Sequence, residues 1–274
     1  MIFFGGCAFS YGLRSEIMAQ EYGDYFITNL GVMGGSNIGF QLDILRNICR
    51  PGDIIVHAPE QMSKYQLMYS NEAEVRMFQN LEANYDLLTY SNVSDFAHFF
   101  DIFTGFVKNK KTEKALKYSS YCPNYNEYGD IVPEVSVTID GVTRRRDEEG
   151  LVDKRYDSGD DTGYHPEYVT QESMNRLSSY YDKFKAMGVT GLFTFSPLNR
   201  YTLNKEDVDN QIWLVFENKV RQYLTSYPII SHAETYLYDS IYFFDEDYHL
   251  TYDGALMRTQ SLIEDMNNYF YSNH

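Results

Sequence analysis

The sequence predicts an α/β fold built on a mainly parallel sheet of five strands. Short apolar runs alternate with longer amphipathic stretches along the 274 residues, which is typical of strands alternating with helices. Several of the runs are almost continuously apolar, as parallel strands buried on both faces are. A chain of this length accommodates one large α/β domain with an insertion. We therefore predict a single three-layer domain over residues 1–274.

The predicted elements follow one another in a regular order. The strands are predicted at residues 1–4, 24–29, 53–58, 191–195 and 228–231. The helices are predicted at residues 11–20, 38–48, 72–90, 95–108, 171–187, 206–224 and 254–269. Because ligands of such sheets bind at the carboxyl ends of the strands, the loops that follow the strands are expected to converge on one edge.

Residues 118–165 interrupt this alternation and are predicted to be an insertion. The stretch is polar and rich in Tyr, Asp and Gly, and residues 135–146 have the pattern of a hairpin turning on Asp140-Gly141. The mixed-sign run RRRDEE, residues 144–149, is typical of a solvated face. The insertion is expected either to cap a site or to form a surface or oligomer-contact element.

The net charge and the hydropathy of the chain limit the classes of molecule that it is expected to bind. A net charge of −16 disfavours nucleic acid and anionic membrane surfaces, both of which attract basic proteins. No apolar run approaches the roughly 20 residues that span a bilayer, and no export signal precedes the first strand. A cytoplasmic location is expected, with an exported form that has lost its signal as the alternative.

Neither the cysteines nor the histidines show the spacing of a metal site. Cys7, Cys49 and Cys122 are odd in number and far apart, which also excludes a disulfide framework. His98, His165 and His232 are not spaced as metal ligands. We expect no metal and no other cofactor.

Three short blocks near the chain ends share a pattern with a known family. The first is GCAFSYG, residues 6–12, after the first strand. The second contains Asn29 and, five residues later, Gly34; the third is FFDEDYHLTYDGA, residues 243–255, with His249 before a helix. Together they resemble the SGNH (GDSL-like) hydrolases, in particular the branch of esterases and O-acyltransferases that modify polysaccharides. The resemblance covers residues 1–60 and 190–270.

The resemblance implies a flavodoxin-like fold and a serine-type catalytic triad. The nucleophilic serine of the family falls on Ala8, which has no nucleophilic group. His249 would be the general base and Asp245 would orient it, with Asp247 as the alternative acid. The backbone N–H groups of Gly34 and of residue 8 would form the oxyanion hole.

The chain departs from the family where a side chain should complete the oxyanion hole. Pro59-Glu60 replaces the family's Gly-x-Asn-Asp block, and an ionised glutamate cannot donate a hydrogen bond. Asn37 or Asn199 could supply that donor instead. Glu60, Asn37 and Asn199 are therefore candidate substrate-binding residues, and Glu60 could alternatively cap the next helix.

Three side chains near the motif are expected to be structural. Cys7 would point away from residue 8 in an extended segment, and it would be buried and inert. Ser10 would cap the helix that follows it. His57 lies in an apolar strand and is expected to be a core histidine.

The resemblance implies a carbohydrate esterase, an O-deacetylase acting on a polysaccharide or glycan. Loss of the serine from such a triad costs on the order of 10⁶ in kcat, so this chain is expected to be inactive. Ala8 is either an engineered knockout, which the retained histidine, acid and glycine favour, or the mark of a natural pseudoenzyme. The alternatives are an O-acetyltransferase on the same fold and a non-catalytic glycan-binding protein.

Overall fold

The structure is a computed structural model that describes residues 1–31, 38–60, 125–139, 142–148, 163–245 and 248–272. The strands of these residues are β1 (Ile2–Gly5), β2 (Thr28–Gly31), β3 (Ile54–Ala58), β4 (Ser136–Ile139), β5 (Val142–Arg145), β6 (Thr190–Phe193), β7 (Leu198–Asn199) and β8 (Leu237–Tyr238). The α-helices are α1 (Cys7–Ser10), α2 (Ser15–Glu21), α3 (Ile38–Ile48), α4 (Gln171–Ala186), α5 (Lys205–Asp209), α6 (Ile212–Tyr223) and α7 (Tyr252–Ser272).

A parallel sheet of four strands lies at the centre, in the order β2-β1-β3-β6. The predicted fifth strand contributes a single parallel bridge, between Ile229 and Phe193 of β6. Hydrogen bonds of 2.9 Å flank this bridge, from Phe193 N–H to Pro228 O and from Ile230 N–H to Phe193 O. The fold is therefore α/β with a mainly parallel sheet, and it is compatible with a three-layer arrangement.

Apolar clusters cover both faces of the sheet. Phe3 of β1 belongs to a cluster with Val56 of β3 and Leu262 of α7. The next residue, Phe4, belongs to a separate cluster with Phe193 of β6 and side chains from α3, α4 and α6. Successive residues of a strand point to opposite faces, so β1 supplies both layers of the core. Each buried Phe contributes about 1.5–3 kcal/mol relative to exposure.

The apolar patterns predicted most of these elements. Helix α3 has the predicted bounds, and β3, α4 and β6 lie within one or two residues of theirs. The helix predicted at residues 11–20 begins only at Ser15, as α2, and α1 lies before the predicted range. The pattern at residues 206–224 is divided between α5 and α6 by Gln211, whose φ of 49° is left-handed. The predicted helices at 72–90 and 95–108 lie outside the described residues.

The described part of the predicted insertion is hydrogen-bonded to residues near β1. Strands β4 and β5 form the predicted antiparallel hairpin, and its turn at 140–141 lies outside the described residues. Arg146, expected on a solvated face, is instead fully buried and donates to the carbonyl oxygens of Tyr11, Ile131 and Leu250. The solvated-face prediction was wrong at this residue because three backbone carbonyls need its guanidinium.

Asp130 makes a second connection between this segment and the sheet. Its carboxylate accepts hydrogen bonds from Ser15 N–H at 2.8 Å, Ser15 Oγ at 2.7 Å and Asn29 Nδ2 at 2.8 Å. Burial raises the pKa of Asp130, and these donors oppose that rise. In the described part of the chain, no helix is long and apolar enough to cross a membrane.

His57 lies in the core, as predicted from its apolar strand. It is fully buried in β3, its ring stacks on Phe4 with centroids 4.1 Å apart, and its Nδ1 lies 2.8 Å from Tyr181 Oη. Burial lowers the pKa of His57 from 6.5 to about 3. The folded protein therefore holds this imidazole neutral at a pH where the unfolded chain protonates it.

This difference predicts an acid-sensitive stability that is due to His57. As the pH falls from about 6.5 towards 3, the unfolded state takes up a proton that the folded state does not. The free energy of unfolding then falls by up to about 1.4 kcal/mol per pH unit from this residue alone. Urea unfolding between pH 7.5 and 4.5 should show a smaller decline for His57→Phe, which keeps the stacked ring.

Tyr181→Phe is the matched control, since it removes the hydrogen-bond partner but leaves the buried histidine. Its free energy of unfolding should decline with pH as steeply as that of the unmodified protein. Equal slopes for His57→Phe and the unmodified protein would contradict the assignment.

Candidate active site

Asp245 and His249 form a buried pair close to the N-terminal loop. His249 Nδ1 lies 2.8 Å from Asp245 Oδ1, and the two residues are 4% and 3% exposed. The ring of Tyr11, just after α1, stacks on the imidazole with centroids 4.0 Å apart. The structure therefore joins the predicted base to the preferred acid. The alternative acid, Asp247, lies outside the described residues.

Local backbone structure holds His249 in place before α7. Phe243 and Leu250 form an antiparallel bridge, and Phe244 N–H donates to His249 O at 2.8 Å. Thr251 Oγ1 accepts from Gly254 N–H at 3.1 Å, which is the hydrogen bond of a helix N-cap. A Cβ at Gly254 would lie 2.5 Å from Tyr242 O, so the glycine of the motif is required by packing.

The pair has the electrostatics of a charged imidazole beside a carboxylate. Burial alone would lower the pKa of His249. The charge of the Asp245 carboxylate and its hydrogen bond raise this pKa by more than burial lowers it, and a hydrogen bond with Cys7 raises it further. Together they raise the pKa of His249 well above its usual value of 6.5. The stability that this pair adds is therefore complete below pH 6.5 and is lost as the pH rises through the folded-state pKa.

Ala8 occupies the second position of α1 and is fully buried. Its N–H donates to Glu60 Oε1 at 3.2 Å, and its carbonyl oxygen accepts from Arg258 Nη1. Its methyl group belongs to the apolar cluster that also contains Phe4 and Ile38. Both polar groups of residue 8 are thus engaged by charged side chains from distant parts of the chain.

Glu60 lies at the carboxyl end of β3, directly over the loop after β1. It is 3% exposed, and a Cβ at Gly6 would lie 2.1 Å from its carboxylate. Gly6 is therefore required for this close approach. The carboxylate engages the same N–H group that the family resemblance assigns to the oxyanion hole. The helix that Glu60 was alternatively expected to cap lies outside the described residues.

Asn199, another candidate substrate-binding residue, lies in β7. It is fully buried in β7, where its Oδ1 accepts from Tyr201 N–H and from Ser240 Oγ, both at 3.1 Å. These contacts give it a structural role in the turn after β7. The other two residues of the predicted oxyanion site, Gly34 and Asn37, lie outside the described residues.

Cys7 and Ser10 are not placed as predicted. The chain is helical from Cys7 onwards, and Cys7 is partly exposed and hydrogen-bonded to His249 rather than buried. Ser10 ends α1 instead of capping a helix, and its Oγ donates to Gly31 O at 2.5 Å. Both predictions assumed that the helix begins after the loop that follows β1, whereas α1 begins within that loop, at Cys7.

Sequence reasoning also missed Arg258, which is fully buried against the loop. Its guanidinium lies over the ring of Phe9 at 4.4 Å, and burial lowers its pKa to about 10. A signal was present: Arg258 shares a helical face with Ala255 and Leu262 at the spacing of buried residues. Within the described residues, no group of three or more His, Cys, Asp or Glu side chains is arranged to hold a metal ion.

Replacing the acid should change the titration of the base. In Asp245→Asn, burial remains but the carboxylate charge is lost, so the pKa of His249 is expected to fall. An NMR titration of the imidazole Cε1–H signals measures this shift. Asp239→Asn is the matched control, because Asp239 is exposed and lies near Arg200. An unchanged His249 titration in Asp245→Asn would show that the carboxylate does not set its charge.

No family model matches the sequence, and no curated protein matches it. The chemistry of the site must therefore be argued from its own residues. Among them, Asp245 and His249 form an acid–base pair, and α1 lies next to that pair.

Proposed function

We propose that this chain is an SGNH-like protein that processes acyl esters, with an O-acetylated carbohydrate as its substrate. The observation that carries this proposal is the buried 2.8 Å hydrogen bond between Asp245 and His249, beside α1. A histidine held by a carboxylate through Nδ1 presents Nε2 as a general base, which is the arrangement that activates a nucleophile for acyl transfer.

The topology supports the same family. The strand order β2-β1-β3-β6 corresponds to the order 2-1-3-4 of a flavodoxin-like sheet, and the bridge at Ile229 lies where a fifth strand would follow. Gly5 pairs with Ala58, so the loops that carry Ala8 and Glu60 leave the same edge of the sheet. Ligands of such folds bind at this edge.

The substrate class comes from the resemblance of the three sequence blocks to enzymes that modify polysaccharides. The 26 Tyr and 18 Phe of the chain are consistent with it, since aromatic faces pack against sugar rings. With water as acceptor the reaction is O-deacetylation. With another hydroxyl as acceptor it is O-acetyl transfer, and the two share every step up to release of the first product.

A non-catalytic glycan-binding protein is the second candidate, and one observation favours it. Ala8 is fully buried, and Glu60 accepts the hydrogen bond of its N–H group. A carboxylate at that place repels a developing oxyanion instead of stabilising it. A binder would hold acetylated glycans, as measured by calorimetry, without turnover in the unmodified chain or in Ala8→Ser.

Ala8→Ser is expected to raise the rate of hydrolysis of p-nitrophenyl acetate and acetylated glycans. The added hydroxyl is the group that the family's chemistry requires at this position. His249→Ala in the Ala8→Ser background should remove the gain. If Ala8→Ser folds, as shown by circular dichroism, but hydrolyses no acetyl ester faster than the unmodified chain, residue 8 is not a nucleophile position.

The charge of Glu60 should limit that activity. Glu60→Gln in the Ala8→Ser background keeps the shape of the side chain but removes the negative charge beside the Ala8 N–H. Because one oxyanion contact contributes about 10²–10³ in kcat, we expect an increase of about tenfold or more. The measurement is kcat for p-nitrophenyl acetate, with Glu16→Gln, a change at a partly exposed carboxylate, as control. No increase over Ala8→Ser would show that Glu60 does not oppose the oxyanion.

A further inference from the structure

Cys7 lies at the point where the N-terminal loop meets the acid–base pair. It is the first residue of α1 and is partly exposed, whereas Ala8 beside it is fully buried. Its side chain packs on a small cluster formed by Tyr11, Ile131 and Phe244. Residues in a helix are separated by about 100° rather than 180°, so this geometry turns Cys7 towards the site.

The same cluster holds the imidazole of His249. The Tyr11 ring stacks on it, Phe244 N–H donates to the His249 carbonyl, and the Cys7 thiol is hydrogen-bonded to the ring. Because His249 Nδ1 is hydrogen-bonded to Asp245, we assign the hydrogen bond with the Cys7 thiol to His249 Nε2. A thiol, an imidazole and a carboxylate thus follow one another in the order that activates a nucleophile.

We propose that Cys7 is the nucleophile of this site, with His249 as its general base and Asp245 as the positioning residue. The inference rests on the proposed acyl-ester chemistry and names the group that carries it out. It gives the unmodified chain a thiol nucleophile one residue before the position at which Ala8→Ser would supply a hydroxyl to the same base. Ala8 then has the separate role of anchoring α1 through its backbone.

The reaction balances with these three residues and water. His249 Nε2 takes the Cys7 proton, which gives the charged imidazole that Asp245 stabilises, and the thiolate attacks the ester carbonyl carbon to form a C–S bond. The bond between that carbon and the sugar oxygen breaks, and the sugar hydroxyl leaves with the proton from His249. Water then gives a proton to His249 and attacks the thioester carbon, which releases the carboxylic acid and returns the proton to Cys7.

The neighbouring alternatives are less suited to this role. Ser10 is 2% exposed, and its hydroxyl is engaged by Gly31 O. Cys49 is buried, and burial, reinforced by the charge of Asp53, raises the pKa of its thiol to about 11. A thiol of that pKa is almost entirely protonated at neutral pH and is a poor nucleophile.

Alkylation of the unmodified chain by iodoacetamide tests the thiol–imidazole contact directly. At pH 7, peptide mapping should find Cys7 alkylated well before Cys49. In His249→Gln the rate at Cys7 should fall by about tenfold or more, because no imidazole remains to accept the thiol proton. Asp245→Asn should give a smaller fall, and His232→Gln, at an exposed histidine, should give none.

Trapping with p-nitrophenyl acetate tests the covalent step. Acid quenching during turnover should leave one acetyl group on the peptide that contains Cys7, and Cys7→Ala should abolish both that adduct and the turnover. A Cys7 alkylation rate that His249→Gln leaves unchanged in folded protein would overturn the proposal. So would full turnover by Cys7→Ala.

These outcomes separate the inference from the proposed function. If Ala8→Ser gains His249-dependent esterase activity that survives Cys7→Ala, and the unmodified chain is not acetylated at Cys7, the function stands and the inference is overturned. If Cys7 is acetylated with His249 dependence but acetylated glycans are not hydrolysed, the nucleophile stands and the carbohydrate substrate is wrong.

Discussion

A helix of four residues cannot satisfy its own backbone, and the rest of this structure is arranged around that constraint. The carbonyl oxygens of Ala8, Phe9, Ser10 and Tyr11 accept from Arg258, Asn29, Ile131 and Arg146 respectively. The N–H group of Ala8 donates to Glu60. Buried backbone groups must find partners, and a single helical turn leaves many of its own N–H and C=O groups without a partner in the turn. Five distant positions therefore supply the hydrogen bonds that hold α1 at the end of β1.

Several of the side chains that hydrogen-bond to α1 and its neighbours are charged, and they are buried in the interior. Arg146 and Arg258 are fully buried, and Glu60 and Asp130 are 3% exposed. Each buried charge costs several kcal/mol unless it is hydrogen-bonded or paired, so these side chains are kept by their bonds to α1 and its neighbours. The result is a loop whose position is fixed from several sides, as the proposed acyl-transfer site would require.

The parts of the fold that periodicity controls could be predicted from the sequence. Strand β3, helices α3 and α4 and the β4–β5 hairpin follow from apolar spacing and turn residues, and the family resemblance implied the pairing of Asp245 with His249. Errors arose where tertiary hydrogen bonds override local pattern. Cys7 and Ser10 were misassigned because α1 has no helical periodicity of its own, and Arg146 because its three carbonyl partners are distant in sequence. The length of the fifth strand was overestimated, because an apolar run of four residues does not determine how many β-bridges it forms with the neighbouring strand.

The hydrogen bond between Ala8 and Arg258 spans 250 residues of sequence. An ordered contact of that separation closes almost the whole chain into one loop, and its entropic cost is recovered only once the intervening elements have packed. During synthesis, β1 and the loop after it leave the ribosome well before α7, yet α1 has its full set of partners only after α7 has emerged. Helix α1, although synthesised long before α7, therefore reaches its native geometry only after α7 has packed.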